Sequence, residues 1–470
     1  MSTSGRLWQN LWVRVAVALA FADASIVVIA LPQIVERLHT SISHSTWVIM
    51  AYNLALIVTS LAILPFARRL AWRPVLVGGL ALFAAASLGC GAASSLSALI
   101  PLRCAQGIGG ALVLCASLPL FWHSARPGDS PLYGWSAAAA IGAALGPAAG
   151  GVLTQVFDWR SIFLAQAPLA AIAAVAVLMA RPRKHGADET PTSPQRFTLG
   201  PLAANLALTV LSAALIGALF LVVVEVINAW LLKPIVAAAI VSTVPVATAI
   251  AERAVRGRSP TLLAGAGAVL LALGLAGLAL ASYRELGVVI IALALCGGGL
   301  GLAYPGLTTA ALQGAGPVGG RAAKTVAARD AGIVLGLLLL TPVFVSDLNA
   351  APAKATAPVV EALGASGLPL SLEFQLGGAL QKAVGSAPES SPPDIAPAFA
   401  QVAAKASAPD RARLAVLERR VETIVQDAVT NPFRRALQYA AILALVVLPL
   451  LAARIWYARR TSSAEGLSDR

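Results

Sequence analysis

The sequence predicts an all-α membrane protein of twelve transmembrane helices, arranged as two six-helix halves with both termini in the cytoplasm. Three observations carry the prediction. The chain of 470 residues is 58% hydrophobic and only 12% charged, with a mean hydropathy of +0.80, where a soluble domain carries about a quarter charged residues. Its apolar residues gather into twelve stretches, most of them near the roughly 20 residues that a helix needs to cross a bilayer. Its lysines and arginines fall in short clusters between those stretches rather than along one face.

Taken in order, the first half reads as spans over residues 12–31, 46–66, 74–94, 98–120, 133–155 and 161–180. The first apolar stretch has no small-residue cleavage site after it and is expected to stay as a helix rather than be removed. A polar, Pro-bearing segment at 181–198 suits a cytoplasmic linker between halves. The second half reads as spans over 199–228, 232–251, 261–282, 286–312, 329–346 and 436–456. This divides the chain into an N-terminal half (1–180), the linker, spans seven to eleven (199–346), a long extracytoplasmic loop (347–435), and span twelve with its tail (436–470).

Orientation follows from charge. With the N-terminus inside, the inside loops hold Arg68, Arg69 and Arg73; Arg126; Arg181, Arg183 and Lys184; Arg253, Arg256 and Arg258; Arg321 and Lys324; and Arg454, Arg459 and Arg460. That is the positive-inside asymmetry, and the nine tryptophans fall near span ends as an aromatic belt would place them. The long loop is rich in Ala, Pro and Ser and poor in aromatics, so we expect a partly helical, loosely packed excursion rather than a folded domain. Residues 411–429 have the spacing of an amphipathic helix.

Several function classes are excluded. The net charge of +13 is accounted for by topology and forms no nucleic-acid surface. No GxxxxGK[ST] loop occurs, which argues against an ATP-driven pump. Cys90, Cys104, Cys115 and Cys296 all lie in apolar stretches and read as small buried hydrophobes, not as a disulfide or metal set. No nucleophile, base and orienting group occur together, so no enzyme, cofactor or metal site is expected. The expected partners are a small molecule, protons and the lipid bilayer, with the protein a monomer.

The informative residues lie inside the spans. Span five carries Gly142-x-x-x-Gly146-Pro147-x-x-Gly150-Gly151; glycines four apart make a smooth face for close helix approach, and Pro147 removes a backbone donor. Span four opens Arg103-x-x-Gln106-Gly107-x-Gly109. An arginine there costs about 2.5–3.5 kcal/mol to insert, so it either faces the interior with a partner or snorkels to the interface. Asp23 stands near the middle of span one, followed by Ala30-Leu31-Pro32. Burial and a neighbouring guanidinium act on a carboxylate in opposite senses, which suits Asp23 beside Arg103 to take up and release a proton; a hydrogen bond to helix backbone is the alternative. The tenth span echoes the fourth, with Gly297 to Gly301 and Pro305 against Gly107 to Gly110 and Pro119, the internal repetition of repeat-built transporters.

These motifs resemble those of the drug exporters of the major facilitator superfamily. The span-five pattern matches their antiporter motif at every fixed position, and span four is similar to their RxxQGxG. Trp47-Val48-x-x-x-Tyr52-Asn53-Leu54 resembles a family pattern in span two, which offers Tyr52 and Asn53 either as cavity groups or as packing. Trp159-Arg160-x-x-Phe163 resembles a family turn of structural role. The resemblance implies the facilitator fold and proton-coupled export of lipophilic or cationic compounds by alternating access. A metabolite or lipid exporter, or a non-transporting scaffold using the external loop, is the alternative.

One loop departs from the family. Between spans two and three, where relatives place an acid that latches the halves, this chain reads Arg68-Arg69-Leu70-Ala71-Trp72-Arg73. The matching second-half loop keeps Glu252-Arg253, which either latches with the Arg69 and Arg73 region or is an interfacial charge. For Glu225, near the outer end of span seven, two readings stand: a second proton or cation site, and an ion pair with Lys233.

Overall fold

In the computed structural model the described residues are 3–124, 131–179, 200–254, 259–313, 316–386 and 393–453. The linker 181–198 and the cations Arg126, Arg256, Arg258, Arg454, Arg459 and Arg460 lie outside them.

Within the described residues, every predicted span is helical over most of its length. The first half comprises α1 (Thr3–Arg37), the short α2 (Ile42–Ser45) running into α3 (Trp47–Ile63), α4 (Trp72–Ala92), α5 (Leu96–Ser124), α6 (Pro131–Val156) and α7 (Arg160–Met179). The second comprises α8 (Pro201–Val224) with a π turn over Glu225–Ala229, α9 (Pro234–Val241) and α10 (Thr243–Ala254) as one span, α11 (Pro260–Leu280) and α12 (Leu286–Ala311). It ends with α13 (Val318–Gly364) and α16 (Ala408–Leu445), between which stand α14 (Leu370–Ser386) and α15 (Ala396–Ala403). Ten helices among the described residues are long and apolar enough to cross a membrane, and α1, bent by 40° between Leu11–Asp23 and Ile26–Arg37, makes an eleventh. The fifth position is held by α6, whose apolar part Ile141–Val156 is shorter. Large apolar side chains such as Val58, Leu145, Ile172, Leu273 and Ile291 are exposed on the outer surface, as a protein solvated by lipid requires.

Span eleven differs from expectation at its start. It begins at Val318, about three turns before the predicted residue 329. The extra turns pass between the halves, where Arg321 and Thr325 are buried; a helix shielded by protein need not be apolar all round, so its hydropathy hides it. The tryptophans also divide. Trp47 is exposed, whereas Trp159 and Trp230 are fully buried and pack edge-on against Phe163 and Tyr283, so they serve packing rather than a lipid belt.

The long segment after span eleven is a folded cap, which corrects the loosely packed excursion expected from its composition. The outer ends of α13 and α16 enclose α14 and α15 around a core of Leu372, Leu376, Leu380, Phe399, Leu414, Leu417 and Val421. Leucines recurring three and four residues apart line one face of α14 and of α16, and Phe399 of α15 fills the space between them in place of the aromatics the composition lacks. Where the cap meets the membrane domain, Asp347 on α13 pairs with Arg435 on α16 at 3.0 Å and with Lys354 at 3.5 Å. A cleft of about 460 Å³ opens there beside Asp427 and Arg434.

Candidate functional site

The seams of small residues bring the charged side chains together. A Cβ on Gly107 would lie 2.2 Å from the Tyr52 carbonyl oxygen of span two, and one on Gly109 2.7 Å from the Phe83 nitrogen of span three. Span four therefore approaches both neighbours to backbone contact. The second half repeats the device, Gly297 meeting the Val244 carbonyl of span eight and Gly299 the Gly267 carbonyl of span nine. In span five, Gly142 faces the Ala18 carbonyl and Gly150 faces Ile26, both on span one, while Gly151 faces Ala238 and the Pro234 carbonyl across the boundary between halves. Gly146 and Pro147 are buried in the same helix. The span-five seam thus presses on span one to either side of Asp23.

Asp23 and Arg103 form an ion pair of 2.8 Å with 0% and 1% of their side chains exposed. One guanidinium nitrogen, Nη1, donates to both carboxylate oxygens, at 3.0 and 2.8 Å, and to the Gln106 carbonyl. Arg103 Nε donates to the Val48 carbonyl at 3.0 Å. Gln106 Nε2 donates to Asp23 at 3.2 Å, to Ser87 Oγ at 2.9 Å and to Gln166 Oε1 at 3.2 Å. The guanidinium also lies over two rings, 4.5 Å from Tyr52 and 5.5 Å from Phe163. Spans one, two, three, four and six thus meet around one buried pair, and Arg103 faces inward rather than snorkelling.

Several participants were not foreseen. Ser87 and Gln166 are lone polar residues in spans three and six, and Gln166 is the single amide between Ser161 and Met179; that singularity is the signal available in the sequence. Phe163, assigned only to a turn, lies against the Arg103 guanidinium. The other predicted residues lie elsewhere. Asn53 is buried and donates to the Ile49 carbonyl at 2.8 Å. Arg73 donates to the Val177 and Leu178 carbonyls at 2.9 and 2.7 Å, tying spans three and six of one half. Arg69 and Arg253 are exposed and Glu252 is half-buried at the end of α10. Glu225 is buried in the π turn, and no ion pair joins it to Lys233 among the described residues. A further charged couple, Arg329–Asp330 at 3.0 Å, stands in span eleven.

Residues 15–341 match the sequence profile of the Major Facilitator Superfamily. The chain belongs to this superfamily. It is a multi-pass membrane protein of this superfamily. It is 32% identical over 205 residues to the drug efflux pump JefA of Mycobacterium tuberculosis, covering 42% of this chain and 39% of that protein. Over 178 residues it is 33% identical to the tetracenomycin C resistance and export protein of Streptomyces glaucescens, covering 37% and 33%. The chain thus matches between a third and two fifths of the length of these curated relatives. The structure resembles that of a bacterial homolog to the human lysosomal transporter Spinster in its inward-facing, occupied conformation, with a TM-score of 0.65, 14% identity and 98% of each chain covered.

Proposed function

We propose that the protein exports lipophilic or cationic drug-like compounds in exchange for protons by alternating access, with Asp23 and Arg103 as the proton-exchanging couple and both termini in the cytoplasm. The observation that carries this reading is the fully buried Asp23–Arg103 pair, held against the glycine seam of span five. A charge in the membrane interior is costly enough to persist mainly where it has work to do. The pair stands in a rocking half, so its surroundings change as the halves reorient about the midplane. The named activities of the efflux and antibiotic-export relatives point to the same substrate class.

Everted membrane vesicles test the reading directly. With a pH gradient established across them, ethidium should dissipate the gradient in vesicles carrying the protein and not in control vesicles. No response to ethidium or to a broad panel of lipophilic cations would overturn drug export and favour a metabolite or lipid exporter of the same fold. A protein that moves no solute at all would leave the folded cap as the working part.

A further inference from the structure

Span eleven carries a second pair of buried charges, and its surroundings differ from those of the first. Arg329 Nη2 donates to Asp330 Oδ1 at 3.0 Å, with 15% and 0% of the side chains exposed. Because residues adjacent in a helix do not face each other, the arginine reaches across to meet its neighbour. Its guanidinium then lies 4.1 Å from the centre of the Phe21 ring on span one. Arg329 thereby bridges the halves, two residues along span one from Asp23.

Two polar atoms of this pair are left over. Asp330 Oδ2 and Arg329 Nε are buried and make no hydrogen bond among the described residues. The pair therefore joins spans one and eleven, at the boundary where the halves part.

Helix packing does not call for these charges. Gly332 and Gly336 seat span eleven on the Thr209 and Ala213 carbonyls of span seven, as Gly142 seats span five on span one. Aligning Gly332 with Gly142 in sequence gives Ala139 and Ala140 as the counterparts of Arg329 and Asp330, so the matching stretch of span five carries no charge. A pair serving structure alone would also be expected to satisfy both carboxylate oxygens, since an unpaired buried acceptor is costly. What remains is a carboxylate and an aromatic face, the chemistry that holds an apolar cation.

We infer that Asp330, Arg329 and Phe21 form the site for the cationic group of a lipophilic substrate, the ligand displacing Arg329 from both the carboxylate and the ring. In this closed arrangement Arg329 is the resident cation, and parting of the halves separates it from Phe21. The inference rests on the export reading above, but it assigns the substrate rather than the proton.

Equilibrium binding of tetraphenylphosphonium to the purified full chain, at fixed pH and without a gradient, tests it, with the neutral dye Nile red as control. Asp330→Asn should weaken tetraphenylphosphonium binding about tenfold or more while Nile red changes less than about twofold. Arg329→Gln should strengthen tetraphenylphosphonium binding several-fold, because the internal competitor is gone. Asp330→Glu, which keeps the charge, should bind within a few-fold of the parent, and decides the matter with Arg329→Gln where Asp330→Asn does not fold. Unchanged affinity in Asp330→Asn overturns the inference. So does weaker binding in Arg329→Gln, the mark of a purely structural pair. Binding as expected in a protein whose vesicles pass no protons would sink the proton exchange and leave this site standing.

Discussion

Asp23 and Arg103 are each other's solvent. Neither side chain meets water or lipid, and one guanidinium nitrogen serves both carboxylate oxygens. Asp23→Asn keeps the size and hydrogen-bonding ability of the acid but exchanges no proton, so the protein should accumulate normally while ethidium-driven dissipation of the gradient falls to the control level. Arg103→Ala strands a buried carboxylate, an uncompensated charge worth about 3–5 kcal/mol, and removes the cation over Tyr52 and Phe163. It should therefore lower yield and melting temperature as well as transport, which thermal denaturation in detergent would show. Wild-type transport by Asp23→Asn would move attention to Glu225, another buried acid among the described residues. At this scale the sequence marked Asp23, Arg103 and Gln106 because motif spacing did. It did not mark Ser87 and Gln166, since one polar side chain in an apolar helix has no period. Nor did it mark Arg329 and Asp330, whose span was taken to begin where they stand.

Helices in lipid gain little from hiding apolar surface from each other, so close contact must supply the attraction. The glycine seams repeated in the two halves show where that contact is made. Gly142→Leu should be destabilising by more than the about 1–3 kcal/mol of ordinary overpacking, because a Cβ there would sit 2.0 Å from the Ala18 carbonyl oxygen, which is backbone. Gly78→Ala is the control: nothing lies within 4 Å, so it should hold or slightly raise the melting temperature. Equal losses in both would show that the seam is not what positions span one. The spans themselves were legible because the lipid requirement writes a length and a composition into each one. The cap was not, since its helices meet each other in water through sparse leucines that a composition argument discounts, and they fold because those leucines share a face.

The halves of the molecule touch at both ends of the membrane domain. On one side Gly151 of span five meets Ala238 of span eight. On the other, Trp72 lies against Gly319 at the start of span eleven, so closely that a Cβ would fall 2.0 Å from the ring. The loop that lacks the family's acid thus meets the second half through an aromatic ring. Gly319→Leu should prop this side open: a cysteine placed at the buried Ala323 should react about tenfold faster with an impermeant maleimide in everted vesicles, and Trp72→Ala in the same protein should reverse much of the gain. Unaltered labelling would show that the ring is not a closure. The cap has a different bearing on the whole. It is carried by α13, 47 residues long, and α16, 38 residues long, both uninterrupted from bilayer to cap and cross-braced by Asp347. Two struts rooted in the same half make the cap a pointer: a small rotation at the midplane becomes a larger sweep at its tip. On the alternating-access reading proposed above, an antibody fragment that gripped the cap and the first half together would act as a brake on the cycle.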